Sequence, residues 1–401
     1  MKPFLLGLSL VLGACSAQAQ LVPLWPLPVP DTSADNAFGE AVALGPDRAV
    51  VGAGGVRGCG PASGAVYVYE RRNGAWTLAA VLQPDDCASG RHFGRAVALD
   101  GDRILAVAAG QPYRTEVADA AYVFERGAGG RWHQTARLTA PPDAPTGAFG
   151  AAVALDGPRA VVSTWGDPAR QRPGAAYVFV QQPDGFWKLE ATLTDTLAPG
   201  GPWPGGAVAL DGDVVALAAP SYRYDRSSAV LLFVRQPDGS WRRDTTLAGI
   251  RDFNPALALT GGELLVGERL GGRHSGGRVR HYRRRDGRWT LVATLDPPQP
   301  YPNGGFGAVL AFDGRRALVS GFDEQLGLDF NVDQVVYVFV HTADRWCFWR
   351  RIDPGEKAFG AALSLHGDLA LIGVPREGAP GAAYLIPLNA ARCELKEPVG
   401  K

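Results

Sequence analysis

The sequence predicts an all-β fold, a seven-bladed β-propeller of four-stranded antiparallel blades, and three observations carry that expectation. A short apolar segment recurs seven times. Further apolar runs follow each copy in the same order. A tryptophan holds a common place in the copies, and the one missing from the last copy is read near the other end of the chain. Composition agrees: among 401 residues, 52 Gly and 31 Pro are too many chain-breakers for a long-helix or coiled-coil protein. Hydrophobic residues make up 46% and no G-x-y period runs through the chain, which excludes disorder and collagen.

The recurring segment is FGEAVAL at 38–44, repeated from Phe93, Phe149, Pro204, Phe253, Phe306 and Phe359 at spacings of 55, 56, 55, 49, 53 and 53 residues. A tight turn such as DGDR (100–103) follows, then a run such as AVVGAG (49–54). A loop of variable length leads to a third run such as AVYVY (65–69). Asn73-Gly74, Asp184-Gly185, Asp238-Gly239 and Asp286-Gly287 have the chemistry of two-residue hairpins and introduce a Trp and a fourth run. Trp76, Trp132, Trp187, Trp241, Trp289 and Trp346 hold that place. Trp25 lies 13 residues before Phe38, as Trp346 lies 13 before Phe359, and is read as the seventh. Segment 21–27 thereby becomes the fourth strand of the last blade. Four short strands cannot bury both faces alone; closing them into a ring does, and it protects the inner edges. The propeller is expected over 21–387 and a tail over 388–401.

The amino terminus reads as an export signal over 1–19, with Lys2, an apolar core from Phe4 to Leu12 and a small-residue site at Ala17-Gln18-Ala19. Leu12-Gly13-Ala14-Cys15 resembles a bacterial lipobox, so a competing reading ends the signal at residue 14 and lipidates Cys15. The two outcomes place the protein in the periplasm, on the outer membrane as a lipoprotein, or outside the cell. No transmembrane span is expected, and the membrane is reached only through that anchor. Cys59, Cys87, Cys347 and Cys393 remain, with three pairings open. Loop parity favours 59–87 on the long-loop side and 347–393 on the short-turn side.

The repeats resemble bacterial FG-GAP repeats, related to the propeller of integrin alpha subunits. Phe38-Gly39, Phe93-Gly94, Phe149-Gly150, Phe306-Gly307 and Phe359-Gly360 carry the first element. Gly52-Ala53-Gly54, Ala218-Ala219-Pro220 and Gly373-Val374-Pro375 are forms of the second. The resemblance implies the propeller fold, and adhesion, ligand binding or envelope roles. In integrins, acidic calcium loops follow the FG strand. Here GPDR (45–48), DGDR (100–103) and DGPR (156–159) offer at most two carboxylates, too few oxygens for calcium. Asp329 to Asp333, with Asp323 and Glu324, is the best acidic loop, and it is read as solvated because Gln334 stands where a turn Gly is expected.

In such a blade the first-to-second and third-to-fourth turns share one face, while the second-to-third loops and blade links share the other. The second set is longer, and loops on a rigid scaffold are where binding resides. Trp165, Trp203, Tyr113, Tyr222 and Tyr224 lie on that side outside the repeated Trp place and are the candidate binding residues. The six His show no HExxH pattern, and no G-x-S-x-G elbow, Walker loop or CxxC occurs. No catalytic residue, cofactor or metal is therefore assigned. Forty basic and forty acidic residues cancel, and the Arg cluster of 269–288 divides between the two faces, so no nucleic-acid partner is expected. The leading expectation is an exported, monomeric binding or scaffold protein that presents its long-loop face to an envelope protein or glycan. The alternatives are a polysaccharide hydrolase or lyase with an axial site, and a structural envelope component.

Overall fold

The computed structural model describes residues 23–108, 119–142, 144, 149–166, 173–194, 205–220, 227–322, 334–342 and 345–389. They form seven four-stranded antiparallel sheets, the blades of a propeller. Blade one runs outward through Phe38–Leu44, Arg48–Ala53, Ala65–Arg72 and Ala75–Leu82. The next five blades repeat that order. Blade seven has Ala362–His366, Leu369–Val374 and Ala382–Pro387 from the carboxyl-terminal end, and its outer strand is Trp25–Pro26. The ring is closed by that strand, as the sequence predicts.

The core lies between blades. Each of seven apolar clusters joins two neighbours, such as Val50, Val66 and Val68 of blade one with Phe93, Ile104 and Tyr122 of blade two. Middle strands are buried on both sides and the outer strands alternate, as a stacked sheet requires. The FG element has a steric origin. Its Phe is buried, and its Gly takes φ of +91° at Gly39, +100° at Gly94 and +93° at Gly307. A Cβ on Gly94 would press on the Ala65 carbonyl and the Ala53 amide of the preceding blade. The partner position is the Gly of the second element. The Gly94 carbonyl lies against Gly52, Gly307 against Gly267 and Gly39 against Gly373, each too close for a Cβ. FG and its second element are thus two halves of one contact between neighbouring blades.

The short turns carry a second set of blade-to-blade contacts. Arg48 Nη1 donates to the Gly101 carbonyl at 3.3 Å and its Nη2 pairs with Asp102 at 3.0 Å. Arg103 donates to Gly157 O at 2.6 Å, while Gly157 N donates to Asp100 at 2.8 Å. Gly212 N donates to Asp156 at 2.5 Å, and Arg159 meets Asp213 at 3.5 Å. Gly262 N reaches Asp211 at 3.4 Å, and Arg316 donates to Gly367 O at 2.5 Å and pairs with Asp368. The D-G-x-R turns that hold too few oxygens for calcium therefore spend their charges on the next blade.

One part of the sequence reading is corrected. Trp25 closes blade seven but is not the seventh repeated Trp. It pairs with Leu385, the place that Ala80, Ala136, Ala191 and Ala293 take in other blades. The repeated feature found here is Leu27, which donates to Ala383 O at 2.9 Å and is buried like Leu82, Leu138 and Leu193. Each of these three lies six residues after its Trp, so the corresponding place is residue 21, outside the described residues. The spacing of 13 misleads because the link before Phe359 is short; Trp76 and Trp132 precede the next FG by 17.

Candidate binding face

Among the described residues, the long-loop face is strapped by a disulfide at blade one. Its second-to-third loop carries Cys59 and the following link carries Cys87, and the two form a disulfide with Cα atoms 6.1 Å apart. Backbone bonds tie the same segments: Gly90 N to Pro61 O at 2.9 Å, His92 N to Ala62 O at 2.9 Å, and Phe93 N to Ser63 O at 3.0 Å. Asp86 in that link accepts from Tyr122 at 2.7 Å and pairs with Arg137 at 3.1 Å, which pins it to blade two. Cys347 is also disulfide-bonded, and its expected partner Cys393 lies outside the described residues.

At blade five the loop is held by charge. The nearly enclosed Asp252 takes Arg269 at 3.1 Å, and the buried Glu268 takes Arg278 at 2.8 Å and Arg280 at 2.6 Å. Arg283 pairs with Glu263 at 2.6 Å and Arg284 meets Asp244 at 3.8 Å. Much of the Arg cluster is therefore neutralised within the blade and its neighbours, which removes it as a single anionic-ligand groove.

Near the axis on the same face stand Glu40, His92 and Arg95. Glu40 and Arg95 take the third place of the FG strand, where blades three and six have Ala151 and Ala308. Glu40 Oε1 accepts from Gly54 N at 2.5 Å. Burial pushes its carboxyl up to about 7, against the opposing pull of that amide and of Arg95. Burial and Arg95 together lower His92, whose bond to the Gly54 backbone works the other way. This trio was missed in the sequence, although two charged residues at a place otherwise held by small or apolar ones were legible there.

Of the candidate aromatics, Trp165 is half-buried directly after the strand Arg159–Thr164, where Gly205 of the next link packs against it. Trp203, Tyr113, Tyr222 and Tyr224 lie outside the described residues, as do Cys15 and the acidic loop 323–333. Among the described residues no group of His, Cys, Asp and Glu is placed to hold a metal, and no helix is long and apolar enough to cross a membrane.

The FG-GAP repeat model matches residues 27–69, 76–124 and 132–179. The second and third stretches begin on the fourth strand of one blade, the first begins directly after the closing strand Trp25–Pro26, and all three end on the third strand of the next blade, so the sequence unit straddles two blades. The four later copies fall outside the match and take the same four-stranded form. The arrangement is consistent with integrin-alpha-like proteins. No curated protein matches the chain.

Proposed function

On the premise of a seven-bladed propeller with FG-GAP repeats, we propose an exported binding or scaffold protein that presents its long-loop face to a protein or glycan of the cell envelope. The observation that carries this reading is the asymmetry of the two faces. The short turns are largely consumed in holding blade to blade, whereas the opposite face carries the variable loops, one of them fixed by the Cys59–Cys87 disulfide. A rigid ring with one variable, strapped face pre-organises a contact surface and so lowers the ordering cost of binding. The test is capture of envelope proteins and glycans by the mature chain, repeated with Trp165→Ala and Trp203→Ala. Loss of a captured ligand in either variant supports the aromatic contact, and equal capture by wild type and both variants rejects it.

Glu40, His92 and Arg95 favour a second reading, a polysaccharide lyase at the axial mouth. Arg95 would neutralise a uronic carboxylate and neutral His92 would accept the adjacent C–H proton. Protonated Glu40 would donate to the departing glycosidic oxygen as that C–O bond breaks and the new double bond forms. Incubation with alginate and polygalacturonate, read as absorbance of the unsaturated product, tests it. Product that disappears with Glu40→Gln supports this reading, and no product from either polymer rejects it.

A further inference from the structure

Two junctions lack the short-turn contact among the described residues: that of blades five and six, where Thr260 and Glu263 take the carboxylate and Arg places, and that of blades seven and one, where the departure includes the receiving Gly. The carboxylate place of the turn (Asp100, Asp156, Asp211) is His366 in blade seven, and the place of Arg48, Arg103, Arg159 and Arg316 is Leu369. The receiving Gly of the next turn (Gly101, Gly157, Gly212) is Pro46 in blade one, which has no amide hydrogen to give. No hydrogen bond between these turns forms there among the described residues. Blade seven also takes its outer strand from Trp25–Pro26, so its third and fourth strands are not joined by a hairpin as in the other blades.

A cavity of about 400 Å³ opens where the contacts are missing, lined by those same three residues together with Trp25, Arg71 and Asn389. That volume falls within the usual range of small-ligand sites, about 300–1,000 Å³. Trp25 stands where four other blades have Ala, and it is 46% exposed, while the repeated Trp side chains are packed against the junction cores. Its pairing with Leu385, which is buried in the cluster shared with blade one, turns the indole towards that cleft. Around it, the exposed side chains of Arg71, His366 and Asn389 make no hydrogen bond or ion pair among the described residues.

We propose that this cleft is a saccharide-binding site, with one or two pyranose rings stacked by their C–H face on Trp25 and their hydroxyls held by Arg71, His366 and Asn389. An exposed indole offers a flat apolar platform, and three unengaged polar side chains supply donors and acceptors of the kind hydroxyls require. A purely apolar ligand would leave those groups unpaired. The site lies on the face opposite the long loops and does not depend on the function proposed above.

The experiment is calorimetric titration of the full chain with chitotetraose, cellotetraose, maltotetraose and tetragalacturonate. Binding of at least one probe with Kd below about 1 mM is expected. Trp25→Ala should weaken it at least about tenfold, equivalent to about 1.4 kcal/mol, and Trp25→Phe should largely retain it. His366→Ala and Asn389→Ala, which leave the closing strand intact, should each weaken it by about threefold or more. Phe186→Ala, at an exposed aromatic of the blade-three hairpin that takes no part in either proposed site, should bind as wild type. Absence of binding by all four probes, or binding unchanged in Trp25→Ala, His366→Ala and Asn389→Ala, overturns the assignment; unchanged melting of the two rim variants separates lost affinity from lost fold.

Discussion

At the scale of single residues, two titratable groups, the buried His281 and the half-buried Glu40, act in opposite directions on stability. His281 sits between blades five and six, and its Nδ1 accepts the Trp346 indole N–H at 3.1 Å. Burial lowers its pKa from 6.5 to about 4; His341 and Arg283 add to this, and Glu263 opposes it. Because the folded value lies below the unfolded one, the unfolded chain binds more protons between these limits. Stability should therefore fall as pH drops from about 6.5 to about 4. Glu40 is raised from 4.5 to about 7, so the folded chain binds more protons in that window, and its contribution is lost as pH rises through about 7. Urea midpoints measured from pH 4 to 8 should show a His281→Asn variant losing the acid-side decline and a Glu40→Gln variant losing the decline towards pH 7. Wild-type slopes persisting in both variants would reject the assignments. The FG glycines belong to this scale too: their places were legible as a repeat, whereas the carbonyl of the neighbouring blade that demands Gly was not.

At the scale of elements, the closing strand is the most consequential piece. Two residues are paired as strand, yet they extend into Leu27, which is buried in the cluster joining blades seven and one, and into Pro28, whose carbonyl accepts from the Tyr69 hydroxyl. Deleting residues 21–27 removes that apolar anchor and leaves the edge of Ala382–Pro387 unpaired. A loss of at least about 3 kcal/mol is expected, since burial of one Leu alone is worth roughly 2–5 kcal/mol on truncation. Unchanged thermal melting would contradict the closure. The existence of this strand was readable from the sequence because six Trp-bearing fourth strands served seven blades. Its register was not, because link lengths vary, and the apparent match at Trp25 comes from one short link.

At the scale of the whole molecule, stability is a sum over junctions between neighbours, as in other repeat architectures, but closed into a ring. Arg316 is the most enclosed member of the short-turn belt, 2% exposed, with its guanidinium on Gly367 O and Asp368 across the junction of blades six and seven. Arg316→Ala should destabilise by about 2–3 kcal/mol, because a charge-assisted bond is lost and a carbonyl is left without its partner. Urea unfolding checks this, with Asp368→Asn expected to cost less because that carboxylate is 62% exposed. The same belt explains why the two faces differ: one is largely occupied in holding the ring, except where Thr260 and Glu263 replace its members in blade five and where His366, Leu369 and Pro46 do so between blades seven and one.

The sequence by itself determined the number of blades, the four strands in each, the closing role of the residues around Trp25 and the division into long and short loops. Those features are periodic, and periodicity survives in one dimension. Only the tertiary structure decided that FG and its partner Gly meet across blades, that the D-G-x-R turns form a belt, and that Glu40, His92 and Arg95 share one mouth. It alone decided that Trp25 stands exposed over a cleft instead of in the repeated Trp place. Each of these is a contact between segments about fifty residues apart, which the stacking of consecutive blades brings within bonding distance, or from opposite ends of the chain, which ring closure brings together.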